Sequence, residues 1–394
     1  MKAFLSATYI DLRDHRRAAV EAIQRLGHEA VTMEVFGARP EEPTTACLRQ
    51  IEDSNLMVGV YAHRYGFIPP GETISITEKE YEHARRKGKP AFCFLVADDH
   101  PWPPKYIDGE PGRTKLMKFK EQVGSQLTRD VFTTPDDLAY KVAAAVGRYA
   151  AKDRAGSLGA ELKTSLGTAD LNARSLAQGR SLSDAPEDTR NKVLRLLGEL
   201  RDTIDTFPEP AGRDVMLDPD TRLALAEGLM AQSKWIEASK KLEEYARAKP
   251  EDWEANNLRG VAFANSKAGF ETDLASLRAY NEAIAFLPRD IEPNRKARLF
   301  AYRGAMLKRL GRLEEAESDL IIAKRHASRD YEVHDIIYNL AGVYALQRER
   351  DKLLGAVRQL SAKPRQLAAI RAHLYDYFEA YSNDDEFLRL IEGT

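Results

Sequence analysis

The residues best suited to chemistry in this chain of 394 lie between Asp53 and Pro90. An alternating apolar run, Leu56, Val58 and Val60, gives way to a loop with Tyr61, Arg64 and Tyr65, and then to a helix that opens with Glu78, Glu80 and Glu82. Arg64 can offer a phosphate a forked, charge-assisted pair, or it can form a structural ion pair with Glu34 or Glu80. The glutamates also have an ordinary reading. Ser75 or Thr77 serves as an N-cap, and an acidic side chain in the first turn is favoured by the helix dipole. Gly66 and Gly71 suit turns and close backbone approach, but no Gly-x4-Gly-Lys-Ser/Thr phosphate loop occurs.

Other chemistries find less support. The eight histidines include no His-Glu-x-x-His and no close pair at ligand spacing, so no metal centre is expected. Cys47 and Cys93 belong to no paired motif, which argues against a disulfide framework or a cysteine zinc site; Cys93, in an apolar run, reads as a buried thiol. Trp102, in the sequence HPWPP, reads as a loop anchor. A formal net charge of −2 provides no global field for nucleic acid or an anionic membrane, and the basic run Lys115–Lys120 reads as a solvated helix face. No stretch approaches ~18 apolar residues, and the first residues do not form a signal peptide. A cytoplasmic protein without a membrane span or direct nucleic-acid contact is the expectation.

The elements that would position these residues alternate strand and helix through residues 1–150. Strands are predicted at Lys2–Ala7, His28–Met33, Asn55–Tyr61, Ala91–Val96 and Val131–Thr133, with helices at Asp11–Leu26, Thr44–Asp53, Ile76–Lys87, Lys115–Leu127 and Pro135–Ala150. Asp11 is expected to cap the first of these helices. Such alternation implies an α/β domain with a mostly parallel sheet and right-handed crossovers. Ligands in such sheets sit beyond the carboxyl ends of the strands, which gathers the loops after Ala7, Met33, Tyr61 and Val96 around one crevice.

Residues 151–215 turn to Gly, Ser, Ala and Asp and read as a linker with partial helix, firmest at Thr189–Phe207. From 216 to 394 the chain reads as an all-α, TPR-like helical repeat array. Its strongest copy places Phe300, Gly304 and Leu307 on one helix and Ala316, Leu320 and Ala323 on the next. Earlier copies carry Ala226, Leu229, Ala238, Leu242 and Pro250, then Gly260, Phe263, Tyr280, Ala283 and Pro288. Tyr338 and Gly342 begin a fourth, and Gln366–Ile391 closes the array. Small residues let paired helices approach while large ones fill the groove of the neighbouring repeat. Arg303, Tyr338 and Tyr375 either line a concave groove or pack in the core.

The stretches FLSATYIDLRDHR, MEVFGARP, VGVYAHRYGFIPPG, SITEKEYEHARRKGKP and FTTPDDLA together resemble the bacterial domain-of-unknown-function family numbered 4062, over roughly residues 1–145. That family stands ahead of NACHT ATPase modules or TPR arrays, and its fold is similar to TIR domains and nucleoside 2-deoxyribosyltransferases, with flavodoxin-type winding. Those relatives cleave N-glycosidic bonds with a glutamate at the start of the helix after the third strand. In the transferases it lies eight residues before the glycine of a Gly-Lys-Pro turn, and Gly88-Lys89-Pro90 carries this position to Glu80. The chain departs from that pattern where Ser75-Ile76-Thr77 replaces a Gly-Thr pair, and where Tyr61 or Arg64 replaces an aspartate. The resemblance implies Glu80 as the carboxylate that stabilises charge on the sugar or forms a glycosyl intermediate. Ser6 and Thr8 would bond ribose or phosphate, Tyr9 would stack on a base, and Tyr61, Arg64 and Tyr65 would complete a nucleotide site. No cofactor is implied; NAD or a related nucleotide would be the substrate. Two readings stand. One is a nucleotide N-glycosidase effector regulated by its repeats, suited to bacterial antiphage defence. The other is a non-enzymatic nucleotide-sensing or scaffolding adaptor. In both, the repeats would bind a protein partner or a second copy in a homo-oligomer.

Overall fold

The computed structural model describes residues 1–33, 43–206 and 217–392. The chain divides into two compact units, Met1–Asp153 and Arg154–Thr394. In the first, β1 (Lys2–Ala7), α1 (Arg13–Arg25), β2 (Glu29–Val31), α2 (Pro43–Asp53), β3 (Leu56–Tyr61), α3 (Ile76–Arg86), β4 (Ala91–Val96), α4 (Gly112–Gln126) and β5 (Asp130–Phe132) follow in order, and α5 begins at Pro135. The five strands are parallel and lie in the order β2-β1-β3-β4-β5. Strand order therefore reverses between β1 and β3, the switch point at which doubly wound sheets hold ligands.

Side-chain alternation sorts the sheet into two dry faces. Ala3, Leu5, Val58, Val60, Phe94 and Val96 pack with Leu12, Ala19 and Ile23 of the α1 region and with Leu138, Val142 and Val146 of α5. Phe4, Met57, Tyr61, Cys93 and Leu95 face the other way, against Cys47 and Ile51 of α2, Tyr81 and Ala84 of α3, and Leu116, Phe119 and Val123 of α4. Ser6 pairs in register with Gly59 and falls on this second face, beneath α3. The exposed edge at β5 is short, and Lys141 Nζ donates to the Val131 carbonyl at 2.6 Å, the kind of charged cover that discourages edge pairing.

The second unit is helical throughout. α5 does not stop near Ala150 but runs on to Thr168, and α6 (Ala173–Ala177) and α7 (Glu187–Asp205) follow. The stretch read as a linker is thus mostly helix. Leu158, Leu162, Leu166, Leu171, Leu176 and Leu182 are all buried; leucines at i, i+4 and i+8 give α5 an apolar stripe that the surrounding Gly, Ser and Ala obscure. The limit expected at 215, and Phe207, lie outside the described residues. Four helical hairpins then follow: Pro219–Ala231 with Trp235–Ala248, Trp253–Ser266 with Phe270–Ala285, Pro293–Arg309 with Leu313–His326, and Asp330–Gln347 with Arg350–Gln359. Ala226, Leu229, Ala238, Leu242, Tyr280, Ala283, Leu307, Ala316, Leu320 and Ala323 are buried as expected. The arrangement is compatible with TPR repeats. Within this unit α6 sits against the repeats, and the Tyr302 hydroxyl donates to the Ala177 carbonyl at 2.6 Å.

Candidate functional site

A cleft of about 590 Å³ opens at the carboxyl ends of β1 and β3, a size usual for a small-molecule site. Ala7, Thr8, Tyr9 and Ile10 line it from the loop after β1, Arg64, Gly66 and Phe67 from the loop after β3, and Ile76, Thr77 and Glu80 from the start of α3. Arg16 and Met33 complete the lining. Of the four loops expected around one crevice, those after Ala7 and Tyr61 line it together with Met33, whereas the loop after Val96 contributes none of its lining.

Ser75, in extended conformation, caps α3 by accepting from the Glu78 backbone amide at 3.2 Å. Glu78 bonds the Tyr65 hydroxyl, which also accepts from the Ser75 amide at 3.3 Å. Glu80 has a different task. Thr77, Glu80, Tyr81 and Ala84, at i, i+3, i+4 and i+7, share the helix face that looks at the sheet. That face brings the Glu80 carboxylate, only 3% exposed, to the end of β1, where Ser6 Oγ donates to its Oε2 at 2.6 Å. Its other oxygen, Oε1, is buried without a hydrogen-bond partner. Burial pushes the Glu80 carboxyl up to about 7, against the Ser6 hydrogen bond, the charge of Arg16 and the Cys47 thiol, all of which favour ionisation. Burial, and then the charge of Glu80, push the Cys47 thiol up to about 12, which leaves it inert as a nucleophile.

Arg64 pairs neither with Glu80 nor within the described residues with any glutamate. Its Nε donates to Asp108 Oδ1 at 3.3 Å, while Asp108 Oδ2 accepts from the Tyr65 amide at 2.8 Å. One carboxylate from the loop after β4 thus fixes two neighbours in the loop after β3. Glu34 and most of the MEVFGARP motif lie outside the described residues.

Of the sequence-derived site residues, the structure brings Thr8, Tyr9, Arg64 and Glu80 to the cleft wall and sets Ser6 directly behind Glu80. It does not bring Tyr61 or Tyr65 there. The Tyr61 ring folds back over Gly59, where an added Cβ would collide with it, and meets Phe119 edge-on at 4.9 Å. The Tyr65 side chain is buried with its hydroxyl held by Glu78 and Ser75. Both tyrosines end an apolar strand or follow it closely, and their large apolar surface favours the core. Asp11 does not cap α1: Leu12 holds that position with no side-chain bond. Asp11 is buried instead, with both carboxylate oxygens unpartnered, and burial raises its carboxyl above the usual range.

Arg16, Asp108 and Phe67 were not singled out in the sequence, and Thr77 only as a possible N-cap. Arg16 Nη1 donates to the Ala7 carbonyl at 2.7 Å and its guanidinium lies 5.9 Å from the Tyr9 ring centre. Its position four residues after Leu12 on an amphipathic helix gives the one available hint, since a cation there falls on the sheet-facing side. Trp102 does anchor its loop, packed among the tilted rings of His15 and His63 and edge-on to His100, with ring centres 5.4, 5.7 and 6.2 Å away.

In the helical unit a second concavity of about 560 Å³ is bordered by Ala177, Tyr302, Tyr338 and Arg365. Arg303 is instead engaged with Asp319 through two bonds of 2.6 and 2.8 Å, and Tyr375 is 74% exposed. Among the described residues no three His, Cys, Asp or Glu are arranged to hold a metal, and no helix is long and apolar enough to cross a membrane.

Residues 2–147 fit the family model described as "Domain of unknown function (DUF4062)". None of the curated proteins matches the chain.

Proposed function

We propose, for a chain whose first unit is a DUF4062 domain, that the cleft at the β1–β3 switch point cleaves the N-glycosidic bond of a nucleotide such as NAD. The observation that carries this reading is Glu80: one carboxylate oxygen is held by Ser6 and the other is unpartnered at the cleft wall. Buried acceptors are nearly always paired, so an unpaired Oε1 on a residue that lines the cleft is a candidate for a ligand.

The chemistry asks little more. As the C1′–N bond breaks, its electron pair leaves with the base and positive charge develops on the sugar; the nicotinamide of NAD departs neutral without a proton, whereas the base of an ordinary nucleoside takes one up. A carboxylate in a water-poor cleft opposes that charge far more strongly than it would in solution. Water then bonds to C1′ and loses a proton, giving free sugar and free base. With its carboxyl at about 7, Glu80 is partly ionised near neutrality. Thr8 Oγ1, also buried and unpartnered, is a second group ready for a sugar hydroxyl. Arg64, steadied through Nε by Asp108, has its Nη groups to offer a phosphate. In this reading the helical repeats bind a protein partner or a second copy and regulate the cleft, as suits a defence effector.

The burial of Glu80 favours a second reading, in which the cleft binds a nucleotide without cleaving it and the chain is an adaptor. The full chain is incubated with NAD and with nucleosides, and released base is measured by chromatography, with Glu80→Gln as control. Base released by the wild type and not by the variant supports cleavage. Ligand bound by both proteins with no base released by either supports the adaptor.

A further inference from the structure

Phe67 is 67% exposed although it sits in a loop that is held firmly. Its carbonyl accepts from the Ile76 amide at 3.0 Å. The preceding Gly66 has φ +96°, and a Cβ there would stand 3.2 Å from Thr77 Oγ1 and 3.4 Å from Thr8 Cγ2, so glycine alone fits comfortably. The Tyr65 amide is tied to Asp108, and Pro69 and Pro70 stiffen the chain beyond. A segment ordered this thoroughly could have turned an aromatic ring inward, as it does at Tyr65. It presents Phe67 outward at the mouth of the cleft.

The loop after β1 does the same. Tyr9 is 55% and Ile10 59% exposed, and both line the same cleft. Single exposed apolar side chains are common on protein surfaces, but several gathered around one concavity mark a binding surface. β1 and β3 are hydrogen-bonded neighbours, so the two loops that carry Tyr9 and Phe67 leave the sheet side by side. Arg16 lies against the Tyr9 ring and adds a cationic backing to it.

We infer that Phe67 and Tyr9 form a stacking subsite for a planar heteroaromatic ring at the cleft mouth, with Phe67 setting the affinity for the base of the ligand. The inference rests on the reading of the cleft as a nucleoside-type site. A ring held there leaves its attached sugar directed toward the wall where Thr8 Oγ1 and Glu80 Oε1 lack partners. Every heterocyclic base has a flat face, so the subsite selects for an aromatic ring rather than for one base.

The test uses the full chain carrying Glu80→Gln, so that the ligand stays intact, and follows the fluorescence of 1,N6-ethenoadenosine on titration. Adding Phe67→Ala or Phe67→Leu is expected to weaken binding roughly five- to a hundredfold, the range of one lost base stack. Phe67→Tyr restores it, and the fluorescence change on binding is lost with the ring. Equal binding by the Glu80→Gln chain with and without Phe67→Ala overturns the subsite while leaving the cleft reading intact. Retained affinity in Phe67→Leu overturns the stacking role, since apolar cover would then suffice. Phe67-dependent binding with no base released by the wild type removes cleavage but supports the subsite. No binding of the nucleoside to any of these proteins overturns both.

Discussion

Ser6 and Glu80, 74 positions apart, are joined by a hydrogen bond of 2.6 Å that ties the end of β1 to the first turns of α3. The bond favours the ionised carboxyl, against the burial that drives it the other way. Ser6→Ala removes a charge-assisted bond while leaving the cleft shape almost unchanged. The Glu80 carboxyl then rises further, by about one unit if the bond contributes on the order of 1.5 kcal/mol. For any ligand that needs the carboxylate, the acidic limb of the pH profile of binding or cleavage moves to higher pH by that amount. An unmoved limb in Ser6→Ala would mean that the bond does not govern the ionisation of Glu80.

The same buried carboxyl makes stability depend on pH. Its folded value, about 7, is raised above the ordinary 4.5. A raised acid contributes stability that is fully present below the unfolded value and is lost as pH rises through the folded one. Between about pH 4.5 and 7 this site therefore loses on the order of 3 kcal/mol. Glu80→Gln cannot ionise and escapes that loss. Its melting temperature should match the wild type near pH 4.5 and exceed it at pH 8. Parallel profiles across this range, followed by circular dichroism, would contradict an ionisable Glu80 in a buried setting.

Sequence pattern revealed the sheet because buried parallel strands are nearly continuous apolar runs, and Lys2–Ala7, Leu56–Tyr61 and Ala91–Val96 are such runs. Glu80 was indicated by the family resemblance, through its place eight residues before the glycine of Gly88-Lys89-Pro90. What pattern could not distinguish was direction beyond the last strand residue. Tyr61 ends β3 and Thr8 directly follows β1, yet the Tyr61 ring turns into the core because Gly59 leaves room for it, and that room is a three-dimensional property. Asp108 was invisible for a related reason: its partners Arg64 and Tyr65 lie 44 and 43 residues away, and a loop residue has no period to betray it. The leucines of α5 beyond Ala150 were hidden by composition, since Gly and Ser lower the apparent helix propensity of a stretch whose burial is set by packing.

Asp108 orders the loop that carries Arg64, which gives it a predicted role apart from direct contact. Asp108→Asn keeps an acceptor for the Tyr65 amide but removes the charge beside Arg64. Asp108→Ala removes both and leaves a half-buried amide unpaired, a loss of roughly 1–3 kcal/mol. Stability by urea denaturation should therefore fall in the alanine variant and change little in the asparagine variant. Freeing Arg64 of its counter-charge should strengthen binding of a phosphorylated nucleoside relative to the unphosphorylated one in Asp108→Asn, provided Arg64 meets the phosphate. Equal ratios in wild type and variant would remove Arg64 from that role.

In the helical unit, close approach of paired helices depends on Gly304, where an added Cβ would lie 2.8 Å from Leu320 Cγ and 3.3 Å from the Ala316 carbonyl. The Leu320 side chain can shift, but the backbone carbonyl belongs to the partner helix and moves only with it. Gly304→Ala should lower stability by about 1–3 kcal/mol through overpacking, less the fraction of a kcal/mol that alanine returns in helix propensity. If denaturation shows Gly304→Ala as stable as the wild type, the third hairpin is looser than these distances imply.

Lys308, on the same helix, is 5% exposed. Its Nζ donates to Asn339 Oδ1 at 2.9 Å and lies 5.2 and 4.2 Å from the ring centres of Tyr338 and Tyr377. Burial first, and then the charge of neighbouring Arg309, lower its ammonium to about 8. A depressed base contributes stability that is present above its unfolded value, 10.5, and is lost as pH falls through the folded one. At pH 7 the charged lysine therefore costs on the order of 3 kcal/mol relative to its neutral form. Lys308→Met has a similar length, no charge and a favourable contact with both rings. It should stabilise the protein at pH 7 and lose that advantage by about pH 10. A methionine variant less stable than the wild type at pH 7 would show that the cation, caged between two tyrosines, holds the array together rather than burdening it.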